Sequence, residues 1–114
     1  MRRALLIESN LIVALDMELT LKSIGYIVES ATDTVEGLMK IEQNVYDVIF
    51  FNDVPQIDGE KFYKKVSALN EDLAKRIIFI LWDRKDFIKS TGNLSLKKPF
   101  TRVQLIEAVK KLAP

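Results

Sequence analysis

The residues of this chain that could do chemistry fall in four short stretches: Glu8-Ser9-Asn10, Asn52-Asp53, Leu81-Trp82-Asp83 and Lys97-Lys98. Glu8 and Asp53 carry hard oxygen ligands of the kind that hold a divalent cation, and Lys98 could bind an anionic oxygen. The sequence has no Cys, which excludes disulfides, zinc thiolate sites and thiol nucleophiles. It has no His, which removes the usual general base near neutral pH, the commonest metal ligand and any phosphohistidine carrier. A catalytic constellation would have to be built from Glu8, Asp53 and Lys98, with no nucleophile beside a base, so an enzyme is the least favoured class.

What must position these stretches is one domain spanning residues 1–114, a length that suits one buried core. An apolar fraction of 48% and a charged fraction of 29% with net charge +1 describe a folded domain and argue against disorder. The basic doublets Arg2-Arg3, Lys64-Lys65, Lys97-Lys98 and Lys110-Lys111 are scattered, so no nucleic-acid-binding stripe forms. The apolar run at Ala4 to Ile7 ends at Glu8, too short for a signal peptide or a membrane span, which makes a cytoplasmic location the expectation.

Along the chain, short apolar runs alternate with longer amphipathic ones, the pattern of βαβ units on a parallel sheet. Residues 4–7, 26–30, 47–52, 77–81 and 94–96 read as five strands. Asn10 can cap a helix over residues 11–24, in which Leu11, Leu15 and Leu19 recur at i+4 and Gly25 supplies the left-handed C-terminal cap. Thr32 or Asp33 can cap a second helix carrying Val35, Leu38, Met39 and Glu42, and Phe62, Val66 and Leu69 mark a third. The weak pattern between Trp82 and Gly92 allows only a short fourth helix. Thr101 can cap a last helix with Val103, Ile106, Val109 and Leu112 on one face. Right-handed crossovers make this (βα)₅ chain an α/β, doubly wound sheet, whose ligand site lies beyond the C-terminal ends of its strands. The four stretches above fall at those ends.

In their order and spacing, Asp47-Val48-Ile49-Phe50-Phe51-Asn52 with Pro55 and Ile57-Asp58-Gly59, and Leu96-Lys97-Lys98-Pro99-Phe100 farther on, resemble the CheY-like receiver domain of response regulators. Leu73-Ala74-Lys75-Arg76-Ile77-Ile78-Phe79-Ile80 is similar to the entry into strand four of receivers attached to hybrid sensor histidine kinases. The resemblance covers essentially the whole chain. It implies a flavodoxin-like five-stranded sheet of order 2-1-3-4-5 and a role in two-component or phosphorelay signalling. It further implies carboxylates that hold a divalent cation, a strand-three Asp that attacks phosphorus, and a Lys and a hydroxyl that bind the phosphoryl oxygens.

Carried over position by position, little of that machinery is kept. The phosphoacceptor position falls on Asn52, whose neutral carboxamide cannot form the acyl phosphate. The acidic pair of strand one becomes Glu8-Ser9, the hydroxyl position falls on Leu81, or on Trp82 if the register slips by one, and the aromatic switch position is Ser95. Lys98 alone matches unchanged. The loop from Asn52 to Pro55 is one residue short, and the fourth helix lacks several residues. This identifies a divergent, pseudo-receiver member that acts through contacts with a histidine kinase or another signalling protein, with no direct nucleic-acid or membrane partner and a homodimer as an open possibility. A metal is not expected beyond weak Mg2+ at Glu8 and Asp53.

Two rival readings stand beside it: a phosphorylatable receiver using Asp53, and a small-ligand sensor in the vacated pocket. Strand alternation turns Asp53 away from the Asn52 face. The plain structural readings are a salt bridge from Lys98 to Glu8 or Asp53, Trp82 covering the core beside the shortened helix, Phe50 and Phe51 as strand packing, and Tyr46 and Tyr63 as surface residues. Asp58-Gly59 is a turn signal.

Overall fold

In the computed structural model, which describes residues 2–52, 58–83 and 85–112, five parallel strands alternate with helices. The strands are β1 (Arg3–Ile7), β2 (Ile27–Ala31), β3 (Val48–Asn52), β4 (Ile77–Leu81) and β5 (Ser95–Lys97). They form one sheet of order β2-β1-β3-β4-β5. The helices are α1 (Leu11–Ser23), α2 (Thr34–Gln43), α3 (Gly59–Leu69), α4 (Glu71–Lys75), α5 (Asp86–Thr91) and α6 (Arg102–Leu112). The expected fold class and strand order are thus observed.

β3 and β4 are buried at every residue because helices cover both faces. Their alternate side chains feed two cores. Leu5, Ile7, Ile49, Phe51, Ile77 and Phe79 pack with residues of α2, α3, α4 and α5, while Leu6, Phe50, Ile78 and Ile80 pack with Met17 and Leu21 of α1 and Leu105 and Val109 of α6. Phe50 and Phe51 are strand packing, as expected. Gly37 is fixed by close approach: a Cβ there would stand 2.7 Å from Cδ1 of Ile7. Gly25, at φ +95°, ends α1 where the left-handed cap was expected.

Side-chain chemistry sets the helix starts. The Asn10 side chain accepts from the amides of Ile12 and Val13 at the head of α1. Asp33, rather than Thr32, caps α2 by accepting from Glu36 N at 2.8 Å. Asp58, read as a turn signal, is the N-cap of α3. Thr101 and Gln104 form a reciprocal capping box at α6.

Several expectations need correction. Residues 71–75, of which only 73–75 belonged to the stretch read as the entry into strand four, form a separate short helix because Asn70 closes α3 and caps α4 through Leu73 N. The i+4 row Leu11, Leu15 and Leu19 faces solvent at 71%, 55% and 56% exposure, and α1 is held to the core by Ala14, Met17 and Leu21 instead. Val35, Met39, Leu69 and Val103 are likewise exposed, and Gly37, Ile41, Leu105 and Ala108 take the inner positions. Tyr46 is fully buried, its hydroxyl donating to Oε2 of Glu29 at 3.0 Å. Tyr63 is half-buried against the core. The fourth helix of the sequence reading is α5, and it is short as expected, with six residues.

Candidate functional site

The parallel register of β1 and β3, with Leu6 beside Phe50 and Ile7 beside Phe51, carries the next pair, Glu8 and Asn52, onto neighbouring strand ends. Both are buried. Nδ2 of Asn52 donates to both carboxylate oxygens of Glu8, at 2.7 and 2.9 Å. The amide of Asn10 donates to Oε2 at 3.0 Å, so the same carboxylate is tied to the head of α1. Three N–H contacts thus converge on one buried carboxylate, which is how a charge is tolerated where water is scarce. On the other side of the carboxamide, Oδ1 of Asn52 is buried and accepts no hydrogen bond among the described residues.

Among the described residues, the side chains of the other candidates make no hydrogen bond to this pair. Ser9 is exposed beside Glu8. Leu81 is buried in the core cluster beneath α3 and α5, so its side chain belongs to the hydrophobic layer. Lys98 follows β5, and its backbone amide donates to the carbonyl of Leu81 at 2.7 Å. Its ammonium stands 5.6 Å from the centroid of the Trp82 ring, a cation–π contact. The expected salt bridge from Lys98 to Glu8 is not formed among the described residues, where Glu8 accepts from the Asn52 amide and the Asn10 backbone instead. Trp82 is 62% exposed, which corrects its reading as a cover over the core. Asp53, Pro55 and Ile57 lie outside the described residues, and with them the alternative acceptor and its possible bond to Lys98.

Of the two expected cation ligands, Glu8 is among the described residues and Asp53 is not. Among the described residues no three His, Cys, Asp or Glu side chains gather as a metal cluster. Glu8, the carboxylate that would have to lead such a site, presents its lone pairs to an amide. Magnesium needs several oxygen ligands in near-octahedral array and sheds water reluctantly. Sequence reasoning named both members of the Glu8–Asn52 pair but missed that they bind each other. The signal for it was present, since both end buried strands adjacent in the expected order.

The sequence matches no family model and no curated protein. Among solved structures the chain is similar to the chemotaxis protein CheY4 of Vibrio cholerae, at 24% identity and TM-score 0.84 over 98% of each chain. It is similar to the response regulator TrrA of Thermotoga maritima, solved in complex with Mg2+-BeF, at 24% identity and TM-score 0.85 over 98% of this chain and 99% of that one. A CheY-like receiver domain protein from Methanospirillum hungatei gives 24% identity and TM-score 0.86 over 98% and 94%. The fold is therefore that of CheY-like receiver domains. No helix among the described residues is long and apolar enough to cross a membrane.

Proposed function

We propose that the chain is a receiver-like signalling domain that is not phosphorylated and acts by protein–protein contact. The observation that carries this reading is the Asn52 amide clamped on both oxygens of Glu8. In this reading Asn52 stands at the phosphoacceptor position, with a neutral, poorly nucleophilic group in place of a carboxylate. Its amide donors satisfy Glu8 where a cation would otherwise be needed, so the corner is stable without Mg2+. The Mg2+-BeF complex of TrrA supplies the contrast to test against.

A contact face is available on α1. Leu11, Ile12, Leu15 and Leu19 form an aliphatic ridge opposite the residues that hold the helix to the core. A helix apolar on both faces is usually covered on both. The flanking acids are already neutralised, Asp16 by Arg102 at 2.7 Å and Glu18 by Lys22 at 2.9 Å. The ridge therefore suits an apolar groove between two helices of a signalling partner, a histidine kinase or another domain of that kind. Leu15→Lys should change stability by no more than about 0.5 kcal/mol while removing that contact.

The central test is incubation with acetyl phosphate and Mg2+, read by mass spectrometry and alkali lability. No acyl phosphate is expected. A stable, alkali-labile phosphate would sink the reading, and its loss in Asp53→Ala but not Asn52→Ala would establish the phosphorelay receiver that uses Asp53.

A further inference from the structure

At the opposite end of the sheet lies a cavity of about 400 Å3 between the end of α2 and the α3–α4 junction. It shares no residue with the Glu8–Asn52 corner. We propose that it is a binding site for a small monocarboxylate with an apolar body, a ligand site independent of phosphorylation.

The walls supply the apolar part. Ile41 and Leu73 are buried at the back, while Val45 and Leu69 line the cavity at 81% and 52% exposure. Two aliphatic side chains left open beside a concave surface are what the body of a bound molecule would cover.

Arg76 supplies the polar part. It immediately precedes β4, and its carbonyl accepts from Ile49 N at 3.2 Å, so its backbone is built into the sheet edge. Its Nε is buried without an acceptor, and no ion pair or hydrogen bond among the described residues engages its guanidinium. Arg76 is half-buried and lines the cavity, and the planar fork of a guanidinium left unpaired there suits a carboxylate. The neighbouring polar groups are committed elsewhere: the Tyr46 hydroxyl donates to Glu29, and Oδ1 of Asn70 accepts from Leu73 N. Glu42 is the acid lining the cavity; it is exposed and makes no ion pair among the described residues, so it competes weakly.

The test is titration of the full chain with hexanoate and benzoate, followed by backbone amide NMR shifts, with hexanamide as the uncharged control. Saturable shifts centred on residues 41–46 and 69–76 are expected, with millimolar or tighter affinity and at least tenfold weaker binding of hexanamide. Arg76→Gln should weaken hexanoate at least tenfold, and Leu69→Trp, at a half-exposed position, should occlude the cavity without touching the core. Absence of saturable shifts, equal binding of hexanamide, or shifts centred on Glu8 and Asn52 would overturn the proposal. Should Arg76→Gln fail to fold, unchanged binding by Leu69→Trp overturns it as well.

Discussion

The two ends of the parallel sheet hold buried polar groups differently. At the N-terminal end they bond to backbone carbonyls and to one another, although Nε of Arg76 and Oδ1 of Asn93 stay without partners among the described residues. Nδ2 of Asn93 donates to the carbonyls of Ala74 and Ile77, each at 2.8 Å, and ties the start of β5 to the α4–β4 junction. Glu29 gathers the Tyr46 hydroxyl, Arg3 at 3.0 Å and Lys40 at 3.8 Å. At the C-terminal end the Glu8 carboxylate and the Asn52 carboxamide face each other, and Oδ1 of Asn52 is left without a donor among the described residues. The first set is explained by folding alone, since each group holds elements in register. The second set joins two strand ends through side chains alone, at the end of the sheet where the ligand site of such folds lies.

The comparison breaks most sharply at Asn52. Asn52→Asp would replace a donor to Glu8 by a second carboxylate at hydrogen-bond distance, and two such groups cannot both ionise comfortably. A loss of about 3 kcal/mol at neutral pH is expected in urea denaturation. Acid or millimolar Mg2+ should restore part of it. A variant as stable as the parent chain would mean that the corner has room for two charges.

At the other end Asn93→Ala should cost about 2 kcal/mol, because the carbonyls of Ala74 and Ile77 each lose a donor inside the protein. Equilibrium unfolding measures it. An effect near zero would show that the N-terminal network is decorative, and the contrast between the ends would vanish.

How much of this was legible in the sequence differs by element. The strands were, because apolar runs of strand length bounded by polar residues leave few alternatives, and residues 77–81 were placed without error. The existence of α1 and α6 was legible too, through caps at Asn10 and Thr101, while α4 was not. Helix orientation was not. In α1 the i+4 leucines mark one apolar row, Ala14, Met17 and Leu21 mark another, and periodicity cannot say which one faces a sheet when both sides are apolar. Tyr46 misled for a related reason: a Tyr just outside a strand reads as surface until a distant partner, Glu29, is brought to its hydroxyl. At the candidate site the residue identities were legible and their mutual contacts were not, because a side chain chooses its partner only after the strands are aligned.

Tyr46 sharpens the comparison through pH. Burial, with the Glu29 carboxylate as the second cause, pushes its phenol up from the ordinary 10 to about 12. The neutral phenol is therefore favoured in the folded chain, and this contribution is fully present below pH 10 and lost as pH rises toward 12. Tyr46→Phe should cost about 1.5 kcal/mol near neutrality, the size of a hydrogen bond to a charged acceptor. It should also flatten the alkaline fall in stability over that window. An unchanged alkaline profile would place the titrating group elsewhere.

The smallest effect is expected at Lys98, and it bears directly on the C-terminal corner. A lysine that neutralised Glu8 would be costly to remove, since a buried carboxylate left unpaired destabilises by several kcal/mol. Here the Asn52 amide and the Asn10 backbone satisfy Glu8, and the Lys98 ammonium stands over the exposed Trp82 ring instead. A cation–π contact at an exposed position contributes about 0.5 kcal/mol, and the methylene stem can be replaced by a side chain of similar volume. Lys98→Met should therefore shift stability by no more than about 0.5 kcal/mol. It should alter Trp82 fluorescence, which reports the loss of the charge above the ring. A loss of several kcal/mol would mean that Lys98 reaches a carboxylate after all, and the corner would then be an ion-paired structural site like its counterpart at the other end of the sheet.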